Sequence, residues 1–381
     1  MPSSHPYTIV TSAASEPEFQ LTVVTVCRNA LADLKPTVES VLRQKAKGSI
    51  SIEHIIVDGA STDGTPGWLA GQLAAGNIEH YVSEPDRGIY DAMNKGINLA
   101  RGEVLAFLNA GDRYAEDVDL APCVLPICRG ETESAAAVAY YENHPTFPLH
   151  RPDFRQHVFQ TPCCHQAYFA SARAYREIGG YDAPHFKCSA DADMMCKIYY
   201  AFGEPLISDL KVVYFDTGGL SRNGNIDYID EHIEILWRNW GRVKEKCAGD
   251  REYRSMIQAA LCDHCFHLLG WQEMQGRAIP DALGKLAQMC GEASAAAGIF
   301  SGGRFALRHL ALCYLPRLER GDKPPRGAKQ ALTLCQSLCH PAADNRYTRG
   351  KPIRGGSLTQ CLLGFCRNKL TSLLRGKGKT T

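Results

Sequence analysis

The first residues in this 381-residue chain that could do chemistry are polar groups placed directly after apolar runs. Asp58 and Asp63 lie in VDGASTDGT, after IEHII, and Asn109 and Asp112 lie in FLNAGD, after GEVLA. In open α/β sheets ligands sit beyond the carboxyl ends of the strands, so all four stand where a bound group would meet the chain. A carboxylate there accepts hydrogen bonds from a ligand's N–H groups or caps a turn, and Asp63, within STDGT, reads as a helix N-cap. Asp86 and Arg87 fall in a polar loop ahead of a helix. The guanidinium there suits a diphosphate and the carboxylate suits that guanidinium or a nucleoside, with a solvated ion pair as the plain alternative.

The elements that must carry these residues alternate. LTVVTVCRN, from Leu21, is a β-branched run expected to form a buried strand, and a helix is expected around Pro36 to Gln44. The strand IEHIIVDGA follows, then a helix about Trp68 to Ala75, a short strand IEHYVSE near His80 and a helix over IYDAMNKGINLA. The strand in GEVLAFLNAGDRY then runs straight into its turn, an α/β pattern. From Glu116 to Phe159 the pattern blurs, with an edge strand expected near AVAYY. Order returns with TPCCHQAYFASARAYREIGGYD, CSADADMMCKIYYAFG and the strand-like LKVVYFDTGGLSRN. A boundary is expected near Arg238, before helix-compatible stretches such as MIQAALCDHCFHLLGWQEM and RFALRHLALCYLPRL.

Composition limits the classes. With 45% hydrophobic and 22% charged residues the chain can build one large or two ordinary cores. Its 42 Lys and Arg against 41 Asp and Glu leave a net charge of +1, no overall field for nucleic acid. Sixteen cysteines scattered over a long chain whose first twenty residues carry neither a basic start nor an apolar run fit a reducing cytosol. The expected location is therefore cytoplasmic, in solution or peripheral on the inner face of the cell membrane. Cys262, His264, Cys265 and His267, and the group Cys335, Cys339 and His340, resemble zinc ligands in spacing but lie in helix-like apolar sequence, where buried free thiols are the simpler reading. The Cys163–Cys164 pair reads the same way. No G-x-S-x-G elbow, G-x-x-x-x-G-K-[ST] loop or G-x-G-x-x-G string occurs.

TVCRN, VDGASTDGT, EPDRGIYDAMNKG, FLNAGD, TPCCHQAYF and ADADMM, in this order over roughly Leu21 to Arg222, together resemble the family 2 glycosyltransferases, in particular bacterial exopolysaccharide and colanic-acid-type members. The resemblance implies a GT-A, Rossmann-like fold over residues 21–238, after an N-terminal tail at 1–20 and before a mainly helical region at 239–345. It implies transfer of a hexosyl group, with inversion, from a nucleotide-diphosphate sugar to a hydroxyl of a glycan or lipid-linked acceptor in surface polysaccharide synthesis.

The same resemblance distributes roles. Thr25, Asn29 and Asp58 would contact base and ribose, Asp86 and Arg87 the nucleotide and its phosphates, and Asn109 and Asp112 the diphosphate. Asp112 matches the last residue of the family's metal-binding Asp-X-Asp turn and would hold Mg²⁺ or Mn²⁺. Asp191 falls where the family carries its general base, with Asp193 as the alternative base or an acceptor-side residue. His165 and Gln166 would line the sugar or acceptor pocket, a core histidine being the other reading of His165. Arg222, in the glycine loop DTGGLSR that begins at Asp216, would reach a phosphate as the loop closes. Two positions depart from the family's commonest strings: Asn109 stands for an acidic residue, and Gly59 for the second Asp of Asp-Asp-Gly-Ser.

After Asn345 nine Lys or Arg and no acidic residue follow, and apolar Leu358, Leu362, Leu363, Phe365, Leu370 and Leu373 are interleaved with them. Residues 346–381 thus form either a basic amphipathic segment suited to an anionic membrane surface or a solvated terminus. Two other function classes stay open on sequence: a sugar nucleotidyltransferase, although VTVCRNALADLK lacks a glycine-rich phosphate loop, and a nucleotide-sugar binder without turnover that recruits partners through its C-terminal half.

Overall fold

The computed structural model describes residues 18–142, 149–156, 161–216 and 226–250, with single positions at 252, 253, 257, 285, 288 and 289. The chain divides into two units, Met1–Asn239 and Trp240–Thr381. Of the second, helix α8 (Trp240–Gly249) is the longest described stretch, and its Trp240, Val243 and Cys247 are buried. The zinc-like groups, the helix-compatible stretches after it and the basic segment 346–381 lie outside the described residues. Among the described residues no helix is long and apolar enough to cross a membrane, and eight cysteines are free thiols.

The first unit begins with the alternation its sequence predicts: β1 (Phe19–Cys27), α1 (Leu31–Lys47), β2 (Ile52–Asp58), α2 (Thr65–Ala74), β3 (His80–Ser83), α3 (Ile89–Leu99) and β4 (Gly102–Phe107). These four strands lie parallel in the order β3-β2-β1-β4, so the turns after β1, β2 and β4 emerge at one edge. Burial on both faces explains why β1 and β2 are apolar runs and not alternating ones. Leu21 and Val23 pack in one cluster with Val41 of α1 and with Cys123 and Ile127 of α4 (Ala121–Cys128). Val24 faces α3 so closely that a Cβ on Gly96 would fall inside its side chain.

Beyond β4 the sheet turns antiparallel. β4 pairs with β8 (Tyr168–Ser171), β8 with β6 (Ser134–Glu142), and β6 runs parallel to β9 (Leu206–Asp216); β9 takes the short β5 (Arg113–Tyr114), and β7 (Leu149–His150) adds to β6. The region expected to hold an edge strand therefore supplies an interior one. Ala135, Ala136, Ala137, Val138 and Ala139 are all fully buried, so small residues fill both faces and leave no alternation to detect. Helices α5 (Ala172–Ile178), α6 (Ala190–Phe202) and α7 (Ile226–Arg238) complete the unit. Glu231 of α7 accepts from the backbone N–H groups of Lys187 (2.6 Å) and Cys188 (3.0 Å), fixing the approach to α6.

Candidate active site

The turns after β1 and β2 are tied to each other. The Asn29 N–H donates to Ser61 Oγ (2.6 Å), and Asn29 Oδ1 accepts from the Thr62 N–H (2.8 Å). Asn29 and Ala60 both hold left-handed backbone, φ 50° and 57°, a conformation that costs a side-chain-bearing residue energy and that collects at functional turns. Asp58 is fully buried and saturated: Oδ1 accepts from the Ser61 hydroxyl, while Oδ2 accepts from the Ser61 N–H (3.0 Å) and the Ser83 hydroxyl (2.6 Å). Thr25 is buried too, its hydroxyl paired with His54 Nε2 at 2.9 Å, so it reaches the turn only through its backbone. Asp63 closes the starts of two helices, accepting from the Leu31 N–H (3.0 Å) at α1 and from the Thr65 hydroxyl (2.6 Å) at α2.

Asp86 crosses over these turns. Its Oδ1 accepts from the Gly88 N–H (2.9 Å), and its Oδ2 occupies the space that a Cβ on Gly59 would need, with Arg28 Cδ 3.3 Å from the same point. Gly59, the departure noted in sequence, is thus the residue that admits the Asp86 carboxylate. Arg87, two-thirds exposed, is held by Asp91, which accepts from its N–H (3.0 Å) and its guanidinium (3.2 Å).

Asp112 lies under the turn after β4, and the pairing of Arg113 with Tyr214 brings the end of β9 against it. The Asp216 N–H donates to Asp112 Oδ1 at 2.9 Å, and Gln166 also hydrogen-bonds its side chain. Burial above all, with the nearby Asp216 charge, pushes the Asp112 carboxyl up to about 8. Asn109 Oδ1, in the same turn, is buried with no hydrogen-bond partner. Among the described residues no three His, Cys, Asp or Glu side chains gather as a closed cage. A buried carboxylate destabilised by a second one, beside an orphaned amide oxygen, nevertheless fits a hard divalent cation that takes its remaining ligands from phosphate and water.

A second cluster forms between α3, α5 and α6. Asp191, at the start of α6, accepts from the Tyr90 hydroxyl at 2.9 Å, and the helix N-terminus favours its negative charge. His165 Nε2 pairs with the Tyr181 hydroxyl at 2.7 Å, and its ring stacks on Phe107 with centroids 5.2 Å apart. Burial lowers the His165 pKa against the opposing pull of Asp191, so the imidazole is neutral at pH 7. Asp193, two residues along α6, takes the other side of the helix and pairs with Lys197 (2.7 Å). Burial raises its carboxyl and Lys197 opposes the shift.

Asn109, Asp112 and Gln166 thus meet in one place, Asn29, Asp58 and Asp86 in a second, and His165 and Asp191 in a third, whereas Asp193 stands apart in its ion pair. Arg222 lies outside the described residues. Sequence reading passed over Tyr90, Asn94 and Tyr181, and gave Asp216 only as the start of a glycine loop. The first two sit inside the quoted IYDAMNKG string and could have been found as one helix face at i and i+4. No local signal ties Asp216 to Asp112, because strand pairing across 104 residues brings them together.

Residues 22–183 match the model of the family described as glycosyl transferase family 2. The chain is 31% identical over 207 residues to an uncharacterized glycosyltransferase of Mycobacterium tuberculosis, covering 52% of this chain and 76% of that protein. It is 31% identical over 221 residues to a PGL/p-HBAD biosynthesis glycosyltransferase of Mycobacterium bovis, covering 54% and 79%. Among solved structures the chain is similar to S. aureus TarS, with a TM-score of 0.53 at 13% identity, over 83% of this chain and 55% of that one. It therefore spans about half the length of that TarS chain, other crystals of which hold UDP or UDP-GlcNAc on residues 1–349. The strand order and this likeness give the GT-A fold; with the two mycobacterial relatives, they make the chain a member of the family 2 glycosyltransferases and an enzyme of glycosyl transfer.

Proposed function

We propose that the enzyme moves a sugar, with inversion, from a nucleoside-diphosphate donor to a hydroxyl of a glycan or lipid-linked acceptor in bacterial surface polysaccharide synthesis. His165 and Gln166 carry this reading. They are adjacent in sequence, Gln166 bonds Asp112 beside the orphaned Asn109 oxygen, and His165 reaches through Tyr181 toward the pocket of Asp191. Asp112 and Asp191 are thus held in one rigid frame with distinct surroundings, as donor and acceptor chemistry requires. Asn29, Asp58 and Asp86 would form the base and ribose end, and Arg87 would pair with phosphate. Mg²⁺ or Mn²⁺, held by Asp112 with Asn109 and Asp216 beside it, would neutralise charge on the leaving diphosphate.

In the reaction Asp191 takes the proton of the acceptor hydroxyl, and the freed oxygen pair forms the new bond to the anomeric carbon. The bond from that carbon to the phosphate oxygen breaks on the opposite side, and its electron pair leaves with the nucleoside diphosphate. One base and no carboxylate nucleophile suffice for this single displacement. The name of the Mycobacterium bovis relative, a PGL/p-HBAD biosynthesis glycosyltransferase, supports a biosynthetic acceptor, and the TarS complexes support UDP as the nucleotide to try first. The basic segment after Asn345 would bring the enzyme to an anionic inner membrane face, where its acceptor could be lipid-anchored.

The test is binding and slow hydrolysis across UDP-, GDP- and dTDP-sugars, with and without Mn²⁺, in wild type and Asp112→Ala. Metal-dependent release of one nucleotide, lost in the variant, is the expected result. Metal-independent binding that the variant keeps would remove Asp112 from the site.

A further inference from the structure

We propose that Tyr90 is the positioning residue of the base: its hydroxyl, by donating to Asp191 Oδ1, turns Oδ2 toward the acceptor as the oxygen that takes the proton. This rests on the proposed role of Asp191. The contact is 2.9 Å, between helices that are 101 residues apart in sequence, and the Tyr90 side chain is buried. A phenol fixed from a second element holds one carboxylate rotamer where solvent would allow several.

The phenol is itself anchored. Its ring lies 5.5 Å from that of Tyr181, and one helical turn along α3 Asn94 grips the Tyr181 backbone in both directions, donating to its carbonyl (2.9 Å) and accepting from its N–H (2.7 Å). Gly180 permits this grip: its φ is +76°, and a Cβ there would stand 2.6 Å from Asn94 Oδ1. Helix α3 therefore fixes Tyr90 directly and, through Tyr181, fixes His165. Its first turn also carries Asp91, the partner of Arg87, so one rigid helix sets the distance from the phosphate side to the base.

Around Asp191 the other titratable groups stay neutral near pH 7. Burial pushes the phenols of Tyr90, Tyr175 and Tyr181 and the thiols of Cys163 and Cys164 up, and pushes the His165 imidazole down. Tyr90 is accordingly a donor to the carboxylate at every working pH, and removing it leaves Oδ1 without the bond that holds it. The acidic limb of turnover is where that loss is read.

The experiment uses the full chain and the UDP-, GDP- or dTDP-sugar hydrolysed by wild type, with water as acceptor and the matching nucleoside diphosphate plus Mn²⁺ as the binding probe. Tyr90→Phe keeps the ring and should lower kcat about tenfold, leave nucleotide affinity within about twofold, and move the acidic limb of the pH profile upward. Replacement of Tyr90 by 3-fluorotyrosine, a stronger donor of nearly the same shape, should move that limb the other way and keeps the test open if the Phe variant folds poorly. Asp191→Asn separates the two layers. If it abolishes hydrolysis while Tyr90→Phe leaves kcat and the limb unchanged, or lowers kcat and affinity together with the limb unmoved, the role of Tyr90 is overturned and the base stands. If Asp191→Asn turns over like wild type, or wild type hydrolyses no donor, the base falls and Tyr90 with it.

Discussion

Two parts of the molecule hold carboxylates by opposite means. In the turns after β1 and β2, Asp58 is bonded by Ser61, Ser83 and the Cys27 thiol, groups at most 31 residues away, and buried until no oxygen is left over. At the start of α6, Asp191 takes one phenol from a distant helix at one oxygen, Oδ1. A saturated carboxylate shapes a loop, whereas one held at a single oxygen is pre-aimed and still able to accept a proton. Asp112 combines the two: it is buried like Asp58, but its charge is opposed by Asp216 and would be relieved by a cation.

The contrast is broken most directly at α6. Asp191→Asn should lower kcat by about 10²–10⁴, the range for loss of a general base, with nucleotide affinity little changed. Asp193→Asn should keep turnover within a few-fold and instead lower the melting temperature, because it strips Lys197 of a buried partner. The reverse pattern in parallel kinetics and melts would exchange the two residues and give the base to the paired carboxylate.

The next effect is on stability. In the folded chain the Asp112 carboxyl is raised from 3.8 to about 8, so the native state binds a proton that the unfolded state has released. Stability from this group is complete below pH 3.8 and declines as pH rises toward about 8, by a few kcal/mol at most. Without divalent metal, melting temperature should therefore fall from pH 6 to pH 8 in wild type and fall less in Asp112→Asn. Added Mn²⁺ should raise the wild-type melting temperature more at pH 8 than at pH 6, and equal shifts in the variant would place the cation elsewhere.

The same contrast explains how much could be read in advance. β1 to β4 and the turns carrying Asn29, Asp58 and Asp112 are contiguous strings whose apolar runs and turn residues declare them. Asp191 and His165 were visible as residues of the family's motifs, but their partners were not. Tyr90 shares a helix face with Asn94 in IYDAMNKG, but its bond to Asp191 depends on where α6 lands. Asp216 reaches Asp112 through pairing of β5 with β9, a two-residue strand too short to leave a pattern. The alanine-rich β6 is a strand where one is expected near AVAYY, but it is interior and not an edge, since small residues buried on both faces give no period-two alternation to tell the two apart.

The smallest effect tests the turns. Gly59 has an ordinary backbone conformation, so alanine is allowed there by φ and is opposed only by what its Cβ would meet, the Asp86 carboxylate and the Arg28 side chain. Both are side-chain atoms at a half-open surface, so they should move aside and leave the core alone. Gly59→Ala should weaken nucleotide binding about three- to tenfold and change stability by less than about 1 kcal/mol. In an Asp86→Ala background the same change should add almost nothing, because the group it displaces is already gone. Calorimetric titration of UDP with Mn²⁺ across this four-member cycle measures the coupling. Additive losses, or a melting temperature several degrees lower with affinity intact, would mean that Gly59 serves the packing of the turn and that Asp86 has no part in reading the nucleotide.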